Sequence, residues 1–278
     1  MPELPEVETM RRECERKLVG RMLGRITVAP GSARQLVGEC REWSSLRGQR
    51  VRALERHGKW LLMRLHSGVT VAIHPRMSGR LLVCNPTELA RLAPHARVVM
   101  RLDNGRLAVL NDARRFGRVL QLPVGTNQPQ RTGPDAMKIS RASFAAALTS
   151  TSRSVKAALL DQVLLAGVGN IYADEMLWMA QVHPGGRADA LTHAQSGELH
   201  KAMGRVLRGA IVRSGTSFDA GYEGGRNQHQ RTGPDAIKIS RASFAAALTS
   251  TSRSVKAALL DQVLLAGVGN IYADEMLW

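Results

Sequence analysis

Cysteine is scarce in this sequence, aromatics are few, and no long hydrophobic run occurs. Three cysteines, Cys14, Cys40 and Cys84, stand far apart in 278 residues. They form no Cys-x-x-Cys pair and no Cys/His group at zinc-finger spacing, which disfavours a disulfide framework and a structural zinc site. Aromatic residues make up 4% of the chain, and Trp43, Trp60 and Phe116 are the only ones before residue 130. That is too few for a platform that stacks single-stranded bases. No stretch of about 18 apolar residues occurs, so no transmembrane helix is expected. The N-terminus carries acids instead of an apolar signal segment, and a cytoplasmic location is expected.

What is abundant is positive charge. Lys and Arg number 39 against 23 Asp and Glu, a formal net of +16 on a chain that is 44% hydrophobic. The apolar fraction can build a core, and the surplus of cations calls for a polyanionic partner, nucleic acid before membrane.

The chain also repeats itself. Gln130 to Trp178 recurs as Gln230 to Trp278 with one change, Met137 against Ile237. Solenoid repeats diverge and run back to back, so a near-identical copy across unrelated sequence reads as a recent duplication or an assembly artefact. Residues 231 to 278 hold five Lys/Arg and four acids, a net of +1, which leaves +15 on the first 230 residues.

Along the chain, residues 3 to 19 place acids in the first turns and bases in the last, the charge order of a helix. From Val51 to Leu122 short alternating runs are punctuated by His66-Ser67-Gly68 and Asp103-Asn104-Gly105, the pattern of an antiparallel sandwich or barrel. Residues 121 to 134, rich in Pro, Gly, Asn and Gln, read as a linker. Helical periodicity follows: Ser140 to Leu148, Ser154 to Leu165 with Ser154 as cap, a helix capped by Asn170 and running to about Ala180, and Leu191 to Arg213. A Gly-rich loop, Ser214 to Gln230, comes next. Gly167-Val168-Gly169-Asn170 is no dinucleotide fingerprint, because no strand precedes it and a third glycine is missing.

Six segments in fixed order then carry a resemblance: MPELPEVET at the start, HGKWLL at 57 to 62, HPRMSGRL at 74 to 81, DARRFG at 112 to 117, LLDQVLLAGVGNIYADE at 159 to 175, and SGTSF…GGRNQHQ at 214 to 230. Over residues 1 to about 230 the chain resembles the formamidopyrimidine-DNA glycosylases, and its start is closer to that branch than to the endonuclease VIII branch. The resemblance implies an α+β multidomain chain: a catalytic antiparallel β-sandwich with an N-terminal helix (1–122), a linker (123–133), an all-α helix-two-turns-helix domain (134–213) and a lesion-recognition loop (214–229). Residues 230–278 stand where the family continues into a zinc finger.

The implied activity is base-excision repair, removal of oxidised purines such as 8-oxoguanine and formamidopyrimidines from double-stranded DNA with cleavage of the abasic strand. Pro2 alone reads as a helix-starting proline. Freed of Met1 it is a secondary amine whose ordinary pKa near ~8 leaves a neutral fraction able to attack the sugar C1′ and form a Schiff base. Glu3 is the expected proton shuttle and Glu6, one turn on, its support. Lys59 and His74 individually read as solvated residues at strand ends; the resemblance makes them grips on phosphates flanking an extruded nucleotide. Pro75 departs from the commoner family pattern beside His74.

Met77 and Phe116 become wedges filling the vacated stack, and Arg114 the partner of the orphaned cytosine. Arg115 reads as a phosphate contact or solvated charge. Lys156 and Asn170 are expected to hold phosphates, the latter at a helix start, and Thr216 and Ser217 to read the lesion. No metal or other cofactor is expected, because no residue of the chain takes the place of the zinc ligands or of the finger's arginine. A lyase-only or non-catalytic DNA-binding protein is the alternative reading. The expected state is a monomer, with domain swapping through the duplicated segment left open.

Overall fold

The structure, a computed structural model, describes residues 2–32, 43–129, 131–214, 236, 238–251, 255–260 and 264–265. Two compact units divide the chain after Asp135.

The first unit opens with helix α1, Leu4–Leu18. Its apolar residues Val7, Met10, Cys14 and Leu18 recur at intervals of three and four, so all four point one way and are buried. Among the described residues eight strands follow: β1 (Leu23–Val28), β2 (Val51–His57), β3 (Trp60–Leu65), β4 (Thr70–His74), β5 (Gly79–Cys84), β6 (Ala96–Leu102), β7 (Leu107–Asp112) and β8 (Arg118–Leu122). They form two four-stranded antiparallel sheets, in the orders β1-β6-β7-β5 and β2-β3-β4-β8. Leu54, Leu61, Met63, Leu65, Val71 and Ile73 of one sheet meet Leu81, Val98, Met100 and Leu110 of the other, with the apolar stripe of α1 against them. The turns at His66–Gly68 and Asp103–Gly105 close hairpins as their composition predicts.

A strand and an α-helix have no counterpart in the sequence pattern. β1 lies before the alternating region, and helix α2, Pro86–Leu92, sits between β5 and β6 with Asn85 and Glu88 closing a capping box at its start. The segment after β8 stays with the first unit. Arg64 donates to the carbonyl of Asn127 at 2.6 Å, His57 Nε2 meets the Gly133 carbonyl at 2.9 Å, and Asp135 receives Arg56 and, at 2.7 Å, the Gly58 amide.

The second unit holds α3 (Arg141–Thr149), α4 (Val155–Leu160), α5 (Asn170–Ala180) and α6 (His193–Val212), then α7 (Arg241–Thr249) and α8 (Val255–Leu260). Ser140 and Ser154 cap α3 and α4 by accepting the amides of Ser143 and Ala157, and Thr192 and Gln195 box the start of α6. Gly169, not Asn170, is the N-cap of α5; Asn170 is the first residue inside the helix. α3 and α5 pack against α6, so the first copy of the repeat is the one joined to the helix that completes its core.

Among the described residues the second copy repeats the first two of these helices, with a different fate. Phe144 is 1% exposed and Val155 fully buried, whereas Phe244 is only half-buried and Val255 is 41% exposed. Leu259 and Leu265 gather a small cluster with Ala236, Ile239, Phe244 and Leu248, and α8 touches α5. Among the described residues no helix is long and apolar enough to cross a membrane.

Candidate active site and nucleic-acid interface

The start of α1 builds the first cluster. Pro2 is buried, Glu3 is the N-cap in extended backbone, and the Glu6 carboxylate accepts the Glu3 amide at 2.8 Å. This capping arrangement fixes the entry of the chain into the helix and with it the direction in which residues 2 and 3 present themselves. Glu3 and Glu6 are 2% and 4% exposed. Two carboxylates buried side by side need cationic company, and Lys59 supplies it.

Lys59 lies on the turn between β2 and β3, where Gly58 takes a φ of 55° and its amide is held by Asp135. It is 6% exposed, so it is not the solvated strand-end lysine that its composition alone suggests. Burial pushes its ammonium below the usual lysine range, Glu3 and Glu6 oppose that shift, and Arg76 adds to it. The structure therefore brings Pro2, Glu3, Glu6 and Lys59 to one place from two elements.

His74 closes the end of β4. Its ring stands edge-on to Trp60 at 4.8 Å, and Nδ1 accepts the backbone amide of Arg76 at 3.0 Å. An acceptor at Nδ1 puts the proton on Nε2. Burial, with Arg76 and Lys59 nearby, pushes the imidazole down to about 3. His74 is thus a neutral donor, not one cation among several. An unfolded chain protonates it below its ordinary value of 6.5 while the folded protein does not until about pH 3, so stability is lost as pH falls through that window. On the order of 3 kcal/mol should disappear between pH 6.5 and 4 from this residue. His74→Gln is expected to flatten that part of the slope, measured as urea midpoints across the range; parallel wild-type and variant slopes would refute it.

The loops after β4 and β7 carry the second group. Met77 and Phe116 are 41% and 50% exposed, and the Arg114 guanidinium lies 5.0 Å from the Phe116 ring centroid. Arg76 and Arg115 both take left-handed backbone, with φ of 57° and 59°. Gly79 has no alternative: a Cβ there would meet the Pro75 carbonyl oxygen at 2.5 Å. Large apolar side chains exposed at tight tips are poor core and good probes.

In the second unit, the turn between α4 and α5 is pinned by Gln162. Its side chain donates to the carbonyls of Leu160 and Val168 at 2.9 and 2.8 Å and accepts the Gly167 amide at 3.0 Å, with Gly167 at φ 118°. The start of α5 thereby presents amides suited to an anion. Lys156 stands on α4, its ammonium 2.8 Å from the carboxylate of Asp174. The sequence carries no local signal for that pairing, nor for the roles of Asp112, Ser78, Arg56 and Asp135, all of which act through partners remote in sequence. Thr216 and Ser217 lie outside the described residues.

The described residues do not offer the ligand set of a zinc finger. Cys14 is buried, donates to the Leu81 carbonyl at 3.3 Å and has its thiol pushed up to about 12, chiefly by burial. Cys84 is also buried, and Cys40 lies outside the described residues. Among them no group of three His, Cys, Asp or Glu side chains gathers around a common point.

A β-sandwich with a titratable cluster at its N-terminus, followed by a helical unit built around a pinned interhelical turn, defines a two-unit α+β protein. The model of the formamidopyrimidine-DNA glycosylase N-terminal domain matches residues 1–119, and that of the formamidopyrimidine-DNA glycosylase H2TH domain matches 132–220 and 232–278. The chain belongs to the formamidopyrimidine-DNA glycosylase family. It is 41% identical over 224 residues to the formamidopyrimidine-DNA glycosylase of Chloroflexus aurantiacus, covering 78% of this chain and 79% of the relative. With that of Corynebacterium glutamicum strain R it shares 40% over 237 residues, or 80% and 82%. The crystal structure of the MutM (Fpg) protein from Thermus thermophilus is 31% identical with a TM-score of 0.68 over 86% of this chain and 91% of that one. A complex between Lactococcus lactis Fpg and DNA containing an abasic site is 28% identical with a TM-score of 0.71, covering 83% and 87%.

Proposed function

We propose that the chain is a bifunctional DNA glycosylase and abasic-site lyase that removes oxidised purines from double-stranded DNA. The observation that carries this reading is the buried cluster of Pro2, Glu3, Glu6 and Lys59 at the head of α1.

Once Met1 is removed, the Pro2 nitrogen is a secondary amine with a free lone pair. It attacks C1′ of the damaged nucleotide, the C1′–N bond to the base breaks, and the departing base takes up a proton and an electron pair. The Pro2 nitrogen then gives up its proton, the C1′–O4′ bond breaks as O4′ takes up a proton, and the resulting ring-opened iminium acidifies C2′. Loss of that proton expels the 3′ phosphate, and a second elimination expels the 5′ phosphate. Glu3 adjoins the nucleophile and moves the protons; Glu6, bonded to the Glu3 amide, positions it. Lys59 supplies positive charge for a phosphate beside the reacting sugar, and His74 an Nε2–H donor.

Met77 and Phe116 fill the space left by the extruded nucleotide and Arg114 meets the unpaired base, while Lys156 and the start of α5 hold backbone phosphates. Thr216 and Ser217 are assigned to the lesion. The protein acts as a monomer without a metal, and the second copy is the segment through which two chains would exchange in a swapped dimer. Family membership and relatives solved with abasic-site DNA support the reading.

Borohydride trapping tests it. Wild-type protein freed of Met1 should form a covalent adduct with an 8-oxoguanine duplex and with an abasic duplex, and Pro2→Gly should form neither. An adduct with the abasic duplex alone selects the lyase-only reading; no adduct with either refutes catalysis.

A further inference from the structure

The two exposed tips are far apart in sequence yet joined by one buried carboxylate. We propose that Asp112 is a positioning residue that locks the Met77 tip and the Arg114–Phe116 tip to each other, so that the three side chains enter the duplex as one unit. The inference rests on the reading above that these residues replace an extruded nucleotide.

Asp112 ends β7 and is fully buried. Its Oδ1 accepts the hydroxyl of Ser78, the residue after Met77, and its Oδ2 accepts the amide of Gly117 at 2.7 Å, just after Phe116. The circuit closes through Ser78, whose Oγ accepts the Arg114 amide at 3.1 Å. Beneath it, buried Arg97 donates to the backbone carbonyls of Asp112 at 2.7 Å and Ala113 at 3.4 Å. β5 and β7 set this up by pairing Gly79 directly with Asp112, so the two tips leave the same sheet side by side.

The side chains at the tips have little packing of their own, and their placement must come from the backbone beneath them. A carboxylate with both oxygens engaged by two different loops fixes that backbone better than packing of exposed residues can. Asp112 is fully buried, and the partly buried Ser78 has its hydroxyl engaged by Asp112 and the Arg114 amide, so neither is free to grip a phosphate. Their loss should therefore alter how the duplex is opened more than how tightly it is held. A misplacement of about 1 Å costs up to ~10²-fold in a positioned reaction.

The test uses the full chain and a duplex with a tetrahydrofuran abasic analogue opposite 2-aminopurine, whose fluorescence rises when the base is unstacked. Wild type should raise the signal. Ser78→Ala and Asp112→Ala should reduce the amplitude severalfold, with affinity for the duplex changed by less than about threefold and with Asp112→Asn restoring much of it, since an amide can still serve both loops. Single-turnover excision of 8-oxoguanine should fall about tenfold in Ser78→Ala. Equal amplitude in wild type and both alanine variants overturns the proposal, as does a loss that tracks affinity or thermal stability in all three. The fluorescence reads insertion whether or not the strand is cut, so absence of a borohydride adduct refutes the catalytic reading while leaving this one to be judged by its own signal.

Discussion

Protein that retains Met1 is expected to give no borohydride adduct and to nick an abasic duplex at least about 10³-fold more slowly than processed protein. Acylation turns the Pro2 nitrogen into a tertiary amide whose lone pair is delocalised into the carbonyl, so no iminium can form. The fold should be spared, because the Glu3 cap and the bond its amide donates to Glu6 lie one residue on. Single-turnover assays on the two forms, separated by mass spectrometry, check both points. Glu3→Gln completes the argument. It keeps the shape of the N-cap and removes the proton carrier, so excision of 8-oxoguanine should drop by roughly 10²–10⁴-fold. Nicking at the Met1-retaining terminus at the processed rate would show that Pro2 is structural.

The second large effect is an asymmetry within the repeat. Phe144→Ala should destabilise the second unit by about 3–5 kcal/mol, because a fully buried ring leaves a cavity. Phe244→Ala removes the same atoms from the same local sequence and should cost about 1 kcal/mol or less, because its ring is only partly buried in a small cluster. Urea unfolding of the two variants checks this within one protein. Equal losses would mean that α7 is packed as firmly as α3.

Much of the architecture follows from local pattern. The intervals of Val7, Met10, Cys14 and Leu18 define α1, and the glycines at 68 and 105 mark the hairpins where they occur. β1 escapes because LGRITV carries a glycine and an arginine where alternation is sought, and its strand character comes from pairing with β6, 70 or more residues away. α2 left a legible trace in the Asn85–Glu88 box, but seven residues with none buried give no apolar periodicity.

At the site, motif order identifies Pro2, Glu3, Glu6 and Lys59, yet their burial depends on β2, β3 and α1 meeting. The neutrality of His74 is likewise a property of its surroundings, since burial with Arg76 and Lys59 nearby disfavours its cation and the Arg76 amide decides which nitrogen carries the proton. Asp112 and Ser78 sit within the DARRFG and HPRMSGRL segments, but a bond spanning 34 residues has no local signature.

The unequal burial of the two copies also bears on how the sequence will change with time. Substitutions at Phe144, Leu148 and Val155 meet selection through stability, whereas the same substitutions at Phe244, Leu248 and Val255 are nearly silent. Drift should erase the second copy first, beginning at positions identical to those where the first cannot vary. A repeat still matched at all but one of 49 positions shows none of that drift, as a recent duplication or an assembly artefact would.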